Sequence, residues 1–148
     1  MRLRHDLDAV LGLQEETYRT NFPGFRYGPR FLREFEKLLR MADRAHHEGL
    51  FVAEIAEKVV GFLWVSLLYM EFDAHQEQAL VKDVCVTAEM RRRGIGRLLM
   101  ERAEAWGSQQ GATKVTLQVT AANQAAIALY EGMGYAVERY HMGRELAD

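Results

Sequence analysis

The sequence predicts an α/β fold, a mixed central sheet flanked by helices in the order β-α-α-β-β-β-α-β-α-β-β. Three observations carry the prediction. An apolar, β-rich run ends at Val86, a short polar turn follows, and a glycine-punctuated basic loop then leads into Ile95, Leu98, Leu99 and Ala103 at helical spacing, so strand, loop and helix succeed one another. Residues 114–119 alternate, with Val115, Leu117 and Val119 on one face and Thr116 and Gln118 on the other. Two further amphipathic helices precede all the longer strands, and helices interposed among strands imply layers around one sheet. With 148 residues the chain is expected to be a single domain, 1–148, large enough to bury a core.

Taken in order, Arg2 to Arg4 reads as a short edge strand. Asp6 or Asp8 then caps a helix in which Leu7, Val10, Leu11, Leu13 and Tyr18 recur at helical spacing, ending before the turn cluster Asn21-Phe-Pro-Gly24. Pro29 suits the first turn of a second helix with the stripe Phe31, Leu32, Phe35, Leu38, Leu39 and Ala42. His46 and His47 follow it, and because adjacent helix positions point apart they read as a solvated helix end and not a metal site. Leu50 to Ile55 and Val59 to Tyr69 are strands joined by a turn at Glu57-Lys58. The stretch to Gln78 is aromatic and acidic, and Ala79 to Val86 is the next strand. The helix after the glycine loop keeps Trp106 on its apolar face and ends near Gly107 or Gly111. Asn123 is placed as an N-cap, Gly134 ends that last helix, and strands are expected at Tyr135 to Arg139 and Tyr140 to Leu146.

Composition excludes several classes. A net charge of -2 offers no basic excess to drive nucleic-acid binding, so the arginines near residue 92 are a local feature. One cysteine, Cys85, forbids an intrachain disulfide and fits a reducing compartment; its place in an apolar strand reads as a small buried hydrophobe. No signal-like region and no apolar run of membrane length is present, which predicts a cytoplasmic protein without a membrane partner.

The loop has what a polyphosphate needs. Gly94 and Gly96 let the backbone turn tightly and bring N–H groups against phosphate oxygens, the helix starting at Ile95 adds unpaired N–H donors, and Arg91, Arg92, Arg93 and Arg97 add positive charge. The dinucleotide fingerprint wants a glycine where Leu99 stands, and Gly-Lys-Ser/Thr occurs nowhere. What remains, Arg91-x-x-Gly94-x-Gly96 after a strand, resembles the acetyl-CoA signature of the GNAT N-acetyltransferase superfamily. A second stretch, Asn123-x-x-Ala126-x-x-Leu129-Tyr130-x-x-x-Gly134-Tyr135, is similar to that family's other hallmark, in the family's order and separation. The two motifs cover the C-terminal half of the chain.

The resemblance implies acetyl-CoA as cosubstrate, an amine acceptor of small-molecule or protein origin, and a homodimer at the family level. It implies that the backbone of Val84, Cys85 and Val86 flanks the pantetheine arm, splayed from the next strand, and that residues Arg91 to Arg97 hold the pyrophosphate. It puts Tyr130 in the general-acid position, where a phenol suits a leaving thiolate, and Asn123 at the cap or against the cofactor. The pattern breaks at the base: positions where family members carry a carboxylate hold Leu80, Lys82 and Gln118. Asp83 is the nearest carboxylate, but strict strand alternation turns it from the face of residues 80 and 82, which favours a structural role. Glu71, Asp73, His75 and Glu77 are base candidates by location, and residues 18–27 and 69–78 are the expected acceptor walls. Direct transfer in a ternary complex is the expected reaction; the rival reading is a non-catalytic acyl-CoA sensor.

Overall fold

The apolar strand Lys58–Tyr69 is buried on both faces over residues 60–67, and the sheet is assembled on it. The computed structural model describes residues 1–22, 24, 26, 28–69 and 77–147. The chain divides into two compact units, Met1–Gln118 and Val119–Asp148. The first contains α1 (Leu3–Asn21), α2 (Pro29–Ala42), β1 (Glu48–Ile55), β2 (Lys58–Tyr69), β3 (Glu77–Val86), α3 (Ile95–Gln109) and β4 (Lys114–Leu117). Its sheet runs β1-β2-β3-β4, antiparallel at the first two junctions and parallel at the third. The second unit contains α4 (Gln124–Gly132).

Burial on both sides explains why β2 is apolar without alternation. Phe62 and Trp64 join Leu7, Val10 and Leu13 of α1, Phe35, Leu39 and Ala42 of α2, and Cys85 of β3 in one core. The opposite face meets α3, where close approach is set by small residues: a Cβ on Gly107 would stand 2.9 Å from the Ala79 Cβ. Across the sheet on that same face, a Cβ on Gly49 would meet Trp106 and Val65 at 3.0 Å.

The mixed sheet with flanking helices is the expected class, and three expected strands are corrected. Arg2 to Arg4 is not an edge strand, because α1 already begins at Leu3. The Asp6 carboxylate accepts the Arg2 N–H at 2.6 Å, capping the helix one turn earlier than expected, while the terminal ammonium donates to Leu50 O at 3.2 Å. Among the described residues, 135–147 form no strand. Val137, Tyr140, Met142 and Leu146 stay in solvent, Tyr140 at 86% and Met142 at 89% exposure, so alternation there has no core face to hold it.

One irregularity in β3 matters most. Trp64 pairs with Asp83 but Val65 pairs with Val81, leaving Lys82 as an extra residue. Such a bulge reverses which face each later residue takes. Ala79 lies against α3, yet Cys85, of the same parity, lies in the core under α1 and α2. Lys82 places its ammonium 4.2 Å over the Trp64 ring, and Asp83 lies against α1. The expectation that Asp83 faces away from residue 82 therefore fails at the bulge, which turns both onto the α1/α2 side.

The close α3–sheet contact is testable. Gly107→Ala should lower unfolding free energy by about 1–3 kcal/mol in urea titration, as overpacking against a strand does. Gly12→Ala, in α1 with open space around its Cβ, should raise it by roughly 0.5–1 kcal/mol.

Candidate functional site

β3 and β4 pair from Gln78–Lys114 to Val81–Leu117 and then part, while β3 continues to Val86 beside β2 alone. The Thr87 N–H donates to Val60 O at 2.9 Å and sets the phase of the ladder. By antiparallel alternation, Asp83 and Cys85 spend their backbone groups on β2, and Val84 and Val86 turn theirs to the open edge. The Arg91 Nε–H donates to Val86 O at 3.2 Å, as an outward carbonyl allows. Of the three backbone positions expected at the thioester, two therefore face that edge and Cys85 does not.

Beyond β3 a 3-10 turn, Ala88–Met90, leads into the arginine loop. Arg92 has φ 63° and Gly94 φ 82°, left-handed conformations that reverse the chain before α3. No side chain caps α3 at Gly94, and the first-turn N–H groups of Ile95, Gly96 and Arg97 precede the first intrahelical acceptor. Ile95 is buried against Gly61 and anchors this end to the sheet. Arg92, Arg93 and Arg97 are exposed. Oriented amides, a helix dipole and unburied guanidinium groups are the features that suit an anion.

The loop is also held from α1. Glu16 Oε1 accepts the Ala88 N–H at 2.6 Å, Oε2 accepts the Thr87 hydroxyl at 3.3 Å, and the Arg91 guanidinium stands 3.9 Å away. Sequence reasoning missed Glu16, and nothing local marks a carboxylate whose partners lie 72 positions on.

On the α1/α2 face, burial pushes the Asp83 carboxyl up to about 6, against smaller opposing contributions from the Gln14 side chain and the Val84 backbone. The Cys85 thiol is pushed up to about 12 by burial and by Asp83, so it stays protonated at neutral pH. Burial, then Asp83, raise Tyr18. The Tyr18 ring lies 5.4 Å from Phe22 and 5.1 Å from Phe31, forming part of an expected acceptor wall. Glu71, Asp73 and His75 lie outside the described residues, as do Pro23, Phe25 and Tyr27; Glu77 opens β3, half-buried.

In the second unit, Asn123 Oδ1 accepts the Ala126 N–H at 3.2 Å, the N-cap expected of it. Tyr130 is buried on α4, with the Tyr135 ring 6.1 Å away and edge-on. Gly134 closes the helix at φ 94°.

Residues 8–135 match the model described as the Acetyltransferase (GNAT) family. An uncharacterised N-acetyltransferase of Methanocaldococcus jannaschii is 30% identical over 133 residues, 89% of this chain and 57% of the relative. A [ribosomal protein bS18]-alanine N-acetyltransferase of Salmonella typhimurium is 37% identical over 59 residues, 40% of each. The chain thus spans about half the length of these curated relatives. Among solved structures, the aminoglycoside N-acetyltransferase AAC(6')-Iy in complex with CoA superposes with a TM-score of 0.76 at 18% identity, covering 97% of this chain and 91% of that one, a likeness of fold.

The raised Asp83 pKa makes stability pH-dependent. The native carboxyl keeps its proton up to about pH 6 while the unfolded one releases it near 3.8, so its contribution to stability falls as pH rises between those values. Denaturant titrations of Asp83→Asn and wild type should therefore diverge in the variant's favour by on the order of 2–3 kcal/mol from pH 4 to pH 7. A constant difference over that range would show that the carboxyl is not desolvated.

Proposed function

The chain belongs to the GNAT family of acetyltransferases, and on that premise we propose that it moves an acetyl group from acetyl-CoA directly to a primary amine in a ternary complex. The observation that carries the reading is the parting of β3 from β4 immediately before the arginine loop. It leaves the backbone of Val84 and Val86 to receive an extended pantetheine arm and donate to the thioester carbonyl. The N–H groups at Gly94 to Arg97 and the guanidinium groups of Arg91, Arg92, Arg93 and Arg97 take the pyrophosphate. The match across both units supports treating 1–148 as one domain.

Tyr130 is the proposed acid for the departing thiolate, carried over from the motif it completes, and Asn123 holds the N-terminus of its helix. The protonated, buried Cys85 supports direct transfer over an acetyl-cysteine intermediate, and such a lone thiol suits the cytoplasm. No helix among the described residues is long and apolar enough to cross a membrane. Protein α-amines and aminoglycosides, the acceptors named for the two relatives above, are the first acceptor classes to test.

Titration calorimetry should detect acetyl-CoA binding, and amine-dependent CoA release should follow; binding without release by any amine would mark a sensor. Gly94→Val forces a β-branched residue to φ 82° and should abolish binding without unfolding the sheet. Tyr130→Phe should lower kcat by roughly a hundredfold with acetyl-CoA affinity nearly unchanged, since water replaces the phenol only in part. Wild-type turnover by the Phe variant would remove Tyr130 from the chemistry.

A further inference from the structure

The positions where the family keeps its base are occupied by Leu80, Lys82 and Gln118, and the bulge at Lys82 supplies an alternative. It brings Asp83 to the α1/α2 side, one residue from Val84, whose backbone faces the open edge. Asp83 is half-buried, and so reachable from solvent. Beside it, Gln14 is 2% exposed and its Oε1 has no hydrogen-bond partner among the described residues. The Tyr18 ring of α1, packed on Phe22 and Phe31, lies close enough to Asp83 to feel its charge, so a carboxylate beside an aromatic cluster forms a receptor for an ammonium on an apolar stem.

We propose that Asp83 receives the acceptor's ammonium and removes its proton, with the Gln14 side chain hydrogen-bonded to the Asp83 carboxyl and holding it in place. This rests on the acetyltransferase reading above. One proton passes from R–NH3+ to the Asp83 carboxylate, directly or through one water, and on to solvent. The freed amine attacks the thioester carbon, a C–N bond forms and the C–S bond breaks. The second proton shed by nitrogen balances the one taken up by the thiolate. The acceptor class is therefore a primary alkylamine that enters as a cation.

The groups facing Asp83 limit what else could set the pH response. Tyr18 and Gln14 come from α1, Cys85 and Lys82 lie on its own strand, and Glu16 of α1 acts on Cys85. β2 contributes Trp64, and the core residues of α2 are Phe35, Leu39 and Ala42, none of which titrates. Tyr18 and Cys85 are both raised and stay protonated through neutrality. Desolvation with a titration near 6 leaves Asp83 ionised and basic enough to accept a proton at pH 7.

The test is the pH profile of kcat/KM for wild type, Asp83→Asn and Asp83→Glu, with acetyl-CoA and a panel of an alanyl peptide, an aminoglycoside and spermidine. Wild type should rise through about pH 6 and level off. Asp83→Asn should be lowered at least about a hundredfold at pH 7, with the KM for acetyl-CoA little changed. Its deficit should shrink toward the amine's own pKa, about 10 for a lysine-like amine, where the acceptor arrives already neutral. Asp83→Glu should keep an acid limb, displaced along the pH axis. An Asn profile parallel to wild type at every pH, or an unchanged rate, would overturn the assignment and leave the transferase reading standing. Failure of the wild type to release CoA with every amine would overturn both.

Discussion

Backbone amides in a sheet must be paired, and at one place this sheet withholds the partner. After Val81 and Leu117 the two parallel strands stop pairing, although β3 runs on to Val86 with β2 fixed on its other side. An unsatisfied edge in a buried setting is costly unless something polar fills it, and the proposed cosubstrate carries carbonyl and amide groups that suit it. The arginine loop follows at once, so one connection supplies the anion site and the open edge together.

The bulge at Lys82 is the second device. Without it, Asp83 would face α3, where Ala79 packs on Gly107. With it, a carboxylate reaches the α1/α2 side, and Lys82 rests its charge on Trp64 while the Trp64 indole donates to Glu48 at 2.6 Å. The helix α1 meets both this carboxylate and the arginine loop, with Gln14 and Tyr18 toward Asp83 and Glu16 holding the start of the loop.

Features written in local chemistry were legible before the fold was seen. The glycines and arginines of the loop, the stripe of α3 and the Asn123 cap needed only spacing, and two motifs in series identified the family. The bulge was not legible, because Lys82 is an ordinary strand-compatible residue and the irregularity is set by pairing with β2. Glu16 was missed for the same reason: its role depends on α1 crossing the end of β3. The strands expected at 2–4, 135–139 and 140–146 failed because propensity alone does not make a strand, and at the first of these Asp6 pulled the chain into a helix.

If the edge of β3 at Val84 and Val86 is open for the cosubstrate, its amides exchange freely until acetyl-CoA binds. Amide hydrogen exchange at single-residue resolution tests it most directly, with and without acetyl-CoA. The account predicts fast exchange at Val84 and Val86 in the free protein, strong protection of both by acetyl-CoA, and protection of Asp83 and Cys85 in either state through their pairing with β2. Protected amides at Val84 and Val86 in the free protein, or exchange there that acetyl-CoA leaves unchanged, would contradict it.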